Sequence, residues 1–144
     1  MSAKDTGDDK RVPHSGLPQD VALRPGRPED YEFARDLYLS SMKPLLEALG
    51  AWNAEEMERA FEGYYIAEEV QIVTQANKDV GWIQVSENDD EFCLDQVHLS
   101  AEARNLGIGT ALITSTIKAA EAKNKNVSLS IVKGNRAINL YKRL

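Results

Sequence analysis

The chain has 144 residues, 42% of them hydrophobic, 28% charged and 7% aromatic, with a formal net charge of -6. That length holds one core and leaves no room for a second domain. No apolar run approaches the ~20 residues of a membrane span, and the acidic balance argues against nucleic acid while leaving a cationic or neutral partner open.

Residues 1–20 are polar, with Gly7, Pro13, Gly16 and Pro18 and almost nothing to bury. They are expected to be a disordered tail without the apolar segment of a secretory signal. The domain is expected over 21–144. The single cysteine, Cys93, cannot close an internal disulfide and fits a reducing cytoplasm.

Val21 to Arg24 reads as a first strand, stopped by Pro25, Gly26 and Pro28. Pro28-Glu29-Asp30 then opens a helix with acids at the positive end of its dipole. Its apolar residues Phe33, Ala34, Leu37, Tyr38, Met42, Leu45, Leu46 and Leu49 recur at helical spacing. Pro44 falls inside that pattern and predicts a kink or restart; Gly50 closes the helix. Asn53 and Glu56 resemble a capping box before a second helix striped by Met57, Ala60, Phe61 and Tyr64.

Val70 to Thr74, a turn at Asn77-Lys78-Asp79, and Val80 to Val85 predict a hairpin. Ser86 to Asp90 is a polar turn and Glu91 to Leu99 a fourth strand. Gly109 to Lys123 is helical again, Val127 to Val132 is a strand, and Arg136 to Leu144 is a last short helix. The order β, α, α, β, β, β, α, β, α predicts a single α/β (α+β) domain with a central mixed sheet flanked by helices.

The segment from Leu94 to Thr110 carries the chemistry. A strand runs into a loop holding Arg104 and Gly107-Ile108-Gly109, and a helix follows. Glycines let backbone approach a ligand, and the helix start offers free N–H groups and partial positive charge, a site for phosphate or pyrophosphate. The two glycines alone are equally consistent with close packing of helix on strand. A Rossmann fingerprint fails at Leu112, and a Walker loop fails for want of a lysine before Thr110.

Arg104-Asn105-Leu106-Gly107-Ile108-Gly109 resembles the Arg/Gln-x-x-Gly-x-Gly/Ala signature of the GNAT superfamily of N-acetyltransferases. Asn135-Arg136-Ala137-Ile138-Asn139-Leu140-Tyr141 resembles that family's second segment, and the two lie one helix and one strand apart. The resemblance implies an acetyltransferase that uses acetyl-CoA and a primary amine acceptor of open identity. It places the pyrophosphate on Arg104, Asn105, Leu106, Gly107, Ile108, Gly109 and Thr110. It places the pantetheine arm along Val97, His98 and Leu99, as an added strand, with Asn135 a further cofactor contact. Tyr141 matches the tyrosine that protonates the leaving thiolate. A phenol's pKa of ~10 lies close enough to a thiol's ~8.5 for that transfer.

Asp95 stands where the family often places a general base. By strand alternation it shares a face with Cys93 and Val97, and His98 faces the other way. Asp95 has two readings: a base whose pKa is raised by burial, or one half of an ion pair. His98 has no partner for a metal site, so no metal is expected. Tyr38, Met42 and Trp52 are candidates for the acceptor wall and equally for core packing. Family members continue past the final helix with two more strands, which this sequence lacks. The Val127–Val132 edge is then expected to be bare and to pair with a second copy. The rival functional reading is a non-catalytic CoA-binding or interaction module with the same fold.

Overall fold

The computed structural model of the chain describes residues 11–104 and 106–129. The strands are β1 (Val21–Pro25), β2 (Val70–Gln75), β3 (Lys78–Glu87), β4 (Glu91–Leu99) and β5 (Asn126–Leu129). The helices are α1 (Tyr31–Ala48), α2 (Ala54–Tyr64) and α3 (Ile108–Ala122), with single 3₁₀ turns at Pro28–Asp30, Ala67–Glu69 and Ala101–Ala103. The sheet order is β1-β2-β3-β4-β5. The first four strands are antiparallel neighbours, and β4 pairs with β5 in parallel. The mixed α/β architecture is the one the element order predicts. The strand expected over 127–132 is described only as far as Leu129. The helix expected over 136–144 lies outside the described residues, and so does the rest of the expected pairing edge.

Helices cover both faces of the sheet. On one side α3 meets Val73, Ile83, Val85, Phe92 and Leu94 through Ile108, Leu112, Ile113 and Ala120. On the other, α1 and α2 bring Ala34, Tyr38, Met42 and Phe61 onto Val70, Ile72 and Trp82. The alternation of β2 and β3 produces this split, since successive strand residues point to opposite faces.

Three local expectations are corrected. First, α1 runs through Pro44 as one continuous helix, so the chain does not restart there. A proline inside a helix loses one backbone hydrogen bond. The apolar stripe continues on both sides of it, through Tyr38, Met42, Leu45 and Leu46, and its burial outweighs that loss. Gly50, at φ +69°, then ends the helix, with Ala51 N–H donating to the Leu46 carbonyl and Gly50 N–H to that of Glu47. Second, the hairpin turn is Ala76-Asn77 and not Asn77–Asp79. Both turn residues have positive φ, 51° and 67°, the geometry that matches strand twist in a two-residue turn. Alanine is unfavourable there, so its presence hides the turn from the sequence.

Third, residues 11–20 do not behave as a tail. Val12 is 3% exposed and joins the α3-side core, with Leu17 packed beside it. The Arg11 guanidinium donates to the Val70, Gly26 and Ala67 carbonyls. His14 Nδ1 is bonded to Ser115 Oγ on α3. Two apolar residues among polar ones give no periodic signal, and the cluster they join is assembled from β1, the other strands and α3.

Candidate active site

The site is built on β4. On one edge β4 pairs with β3 along its length. On the other, its pairing with β5 covers Glu91 to Leu94. Among the described residues, Asp95 to Leu99 has no strand on that side. A segment with one open edge can accept an extended ligand by backbone hydrogen bonds.

The register of β3 with β4 passes from Gln84↔Gln96 to Val85↔Leu94. Asp95 is therefore the extra residue of a β-bulge. The bulge resets the alternation of the strand. Phe92 and Leu94 point into the α3-side core, and beyond the bulge Val97 and Leu99 do so as well. Asp95 instead meets Ser86, whose hydroxyl donates to Asp95 Oδ2 at 2.8 Å. The expectation that Asp95 and Val97 share a face fails at this bulge.

Asp95 is half-buried, and burial raises its carboxyl above the ordinary carboxylate range, with the Ser86 hydrogen bond pulling against that shift. Among the described residues Asp95 makes no ion pair, and the Ser86 hydroxyl is its hydrogen-bond partner. His98 lies 5.1 Å from the Trp82 ring and 5.4 Å from the Tyr38 ring. Its Nε2 donates to Gln96 Oε1 at 2.7 Å. Burial, with the Arg104 charge adding to it, pushes the His98 imidazole down to about 4. The ring is neutral at pH 7, its tautomer set by Gln96.

Gly81 sets the spacing between β3 and the end of β4. A Cβ there would lie 2.4 Å from the His98 carbonyl oxygen. Only glycine permits that approach.

Past β4 the chain turns toward α3. Gly107 is the residue before the helix, at φ +80°, and a Cβ there would meet nothing within 4 Å. The first helical bond runs from Ala111 N–H to the Gly107 carbonyl, and no side chain caps this end. The N–H groups of Ile108, Gly109 and Thr110 are thus left for an external acceptor. Ile108 itself is buried, so it offers only its backbone; Leu106 is 54% exposed. Ser100, just after β4, buries a hydroxyl with no partner. The exposed Arg104 donates through Nε to the Leu99 carbonyl at 3.0 Å and reaches Ser41 Oγ on α1 at 3.5 Å. Its guanidinium therefore ties β4 to α1 at the mouth of the loop expected to hold phosphate. Open strand edge, uncapped helix start, open left-handed glycine and orphaned hydroxyl together fit a ligand with an extended amide arm and a pyrophosphate.

The remaining expected residues divide. Tyr38 and Met42 are 3% and 5% exposed and belong to the aromatic core. Burial, with Tyr64 adding to it, pushes the Tyr38 phenol up to about 12. Trp52 is half-buried between α1 and α2, with Lys43 Nζ 5.8 Å from its ring centre. Asn105, Asn135 and Tyr141 lie outside the described residues. Ser86 and Gln96 were not foreseen; a polar residue in a strand carries no mark of its partner, and the bulge has no sequence signature.

The profile of the acetyltransferase (GNAT) family matches residues 31–144. No curated protein gives a significant match. Solved structures do. PaiA N-acetyltransferase from Thermoplasma acidophilum, in complex with coenzyme A, superposes with a TM-score of 0.65 at 16% identity, over 85% of this chain and 87% of that one. The ribosomal-protein-alanine N-acetyltransferase of Brucella melitensis biovar Abortus 2308 gives 0.59 at 18% identity, over 87% and 88%. Arabidopsis thaliana Naa50, in complex with the bisubstrate analogue CoA-Ac-MVNAL, gives 0.54 at 18% identity, over 86% and 81%. At these identities the likeness is one of fold. Fold and family profile agree, and the chain belongs to the GNAT acetyltransferase family.

Proposed function

We propose that the chain is an N-acetyltransferase that moves the acetyl group of acetyl-CoA to a primary amine. The observation that carries this reading is the β4 edge from Asp95 to Leu99, unpaired among the described residues, beside the uncapped start of α3. Two neighbours of the same fold carry coenzyme A or a CoA-based analogue. Acetyl-CoA supplies the activated acyl thioester. Val97, His98 and Leu99 offer backbone to its extended arm, and Ile108, Gly109 and Thr110 offer N–H groups to its phosphates.

The amine must lose a proton before it can attack. Asp95 is the base in this reading, since a carboxyl with a raised pKa takes a proton more readily than an ordinary one. Tyr141 is assigned the acid role on its motif. Asp95→Asn should lower transfer by ~10²–10⁴-fold while acetyl-CoA affinity holds. Turnover across a panel of amines, with calorimetry of acetyl-CoA binding, checks both halves. Gly107→Val should weaken binding, because a side chain at φ +80° strains the loop and fills the open space before α3. Cofactor binding without turnover of any amine would leave the chain a CoA-binding module.

A further inference from the structure

A bulged residue has no ladder partner to hold it, so the direction of the Asp95 carboxylate must be set by something else. Ser86 does this. It stands opposite Cys93 in the register, and the bulge carries Asp95 back over it, so that Ser86 Oγ meets Asp95 Oδ2 at 2.8 Å. Among the described residues Oδ1 has no hydrogen-bond partner. We propose that Ser86 is a positioning residue for acetyl transfer: its hydroxyl pins one oxygen of Asp95 and leaves Oδ1 to take the proton of the incoming amine. This rests on the reading of Asp95 as the base.

Among the described residues, Ser86 alone hydrogen-bonds that carboxylate. On β4, Cys93 Sγ donates to Glu91 Oε1 at 3.6 Å and accepts from Ser128 Oγ of β5 at 3.1 Å. On β3, Glu87 is taken by Lys123 and Lys125. The phenols of Tyr38 on α1 and Tyr64 on α2 make no bond to it. Among the described residues no charged neighbour acts on Asp95; burial raises its carboxyl and the Ser86 hydrogen bond pulls it down. A serine suits the task, because a single side-chain torsion aims its hydroxyl and little rotamer freedom is lost. In the step itself, the proton leaves the ammonium nitrogen for Oδ1 and the electron pair stays on nitrogen.

The test uses the full chain with Ser86→Ala and Ser86→Thr. A hydrogen bond to the ionised form lowers a carboxyl pKa. In Ser86→Ala the Asp95 carboxyl, followed by NMR of ¹³C-labelled aspartate, should titrate about one pH unit higher. The acidic limb of kcat/KM should move up with it, because the base works ionised. Ser86→Thr keeps the hydroxyl and should restore both. An unmoved Asp95 titration in folded Ser86→Ala overturns the proposal. A titration that moves while the acidic limb stays put overturns Asp95 as the base, and the role of Ser86 in transfer falls with it.

Discussion

On the α3 side of the sheet the core is mostly aliphatic: Val21, Val73, Val80, Ile83, Val85, Leu94, Leu112 and Ile113. On the α1–α2 side the rings of Tyr38, Phe61, Tyr65, Trp82 and His98 meet edge-on or tilted at 5.0–5.9 Å. The buried hydroxyls of α3, Ser115 and Thr116, donate to the Leu112 carbonyl of their own helix, and only Ser115 among them also reaches outside it, to His14. The polar groups of the other side bond between elements. Gln84 donates to the Tyr64 carbonyl and to Glu69, and Ser86 to Asp95 across the bulge. Aliphatic burial is non-directional and tolerates repacking at a cost in stability alone. Cross-element hydrogen bonds fix positions, which is what proton transfer needs. The division sets aliphatic packing on one face and the proposed chemistry on the other.

Three experiments break or sharpen that division. Leu112→Ala, at a fully buried position, should cost about 2–5 kcal/mol through lost burial and the cavity left behind. Denaturant melts measure it, and acetyl transfer per folded molecule should hold. Transfer that collapses with the fold intact would mean that the aliphatic face also serves chemistry.

The second concerns acid. His98 sits at about 4 in the folded chain against an ordinary 6.5. Between those values the unfolded chain binds a proton that the folded chain refuses, so stability is complete at pH 7 and falls as pH drops through that window. At about 1.4 kcal/mol per unit the loss is roughly 3 kcal/mol. His14, also held at about 4 by burial, adds a similar slope from the α3 side. Melts from pH 7 to 4 of the wild type, His98→Gln and His14→Gln separate the two. A wild-type slope retained in His98→Gln would clear the polar face of that cost.

The smallest effect is at the cover of the polar face. Asn53 Oδ1 accepts from Glu56 N–H at 3.0 Å and caps α2. Asn53→Ala should cost about 1 kcal/mol and Asn53→Asp almost nothing. Equal thermal stability of all three would show that α2 is held by packing alone.

The parts legible in the sequence share one property: their cause is local. The spacing of Tyr38, Met42 and Leu45 marked α1, Asn53 and Glu56 marked the start of α2, and Gly107 and Gly109 marked the loop before α3. What went unread depends on residues far apart in the chain. Val12 and Leu17 look like solvated tail until β1 and α3 supply a surface for them. Ala76 looks like strand until the pairing of β2 with β3 forces it into the turn. Tyr38 and Met42 suit a substrate wall as well as a core until Phe61 and Trp82 close over them.

The sequence by itself determined the order of elements over the described residues and the place of the glycine loop before α3, because hydrophobic period, caps and glycine geometry act within a few residues, and its two motifs marked the family. Only the tertiary structure decided which way Asp95 points. Strict alternation would have set it beside Val97. The register of β3 against β4, anchored by burial on both faces of the sheet and by the close approach at Gly81, inserts one residue too many and turns that carboxylate onto Ser86.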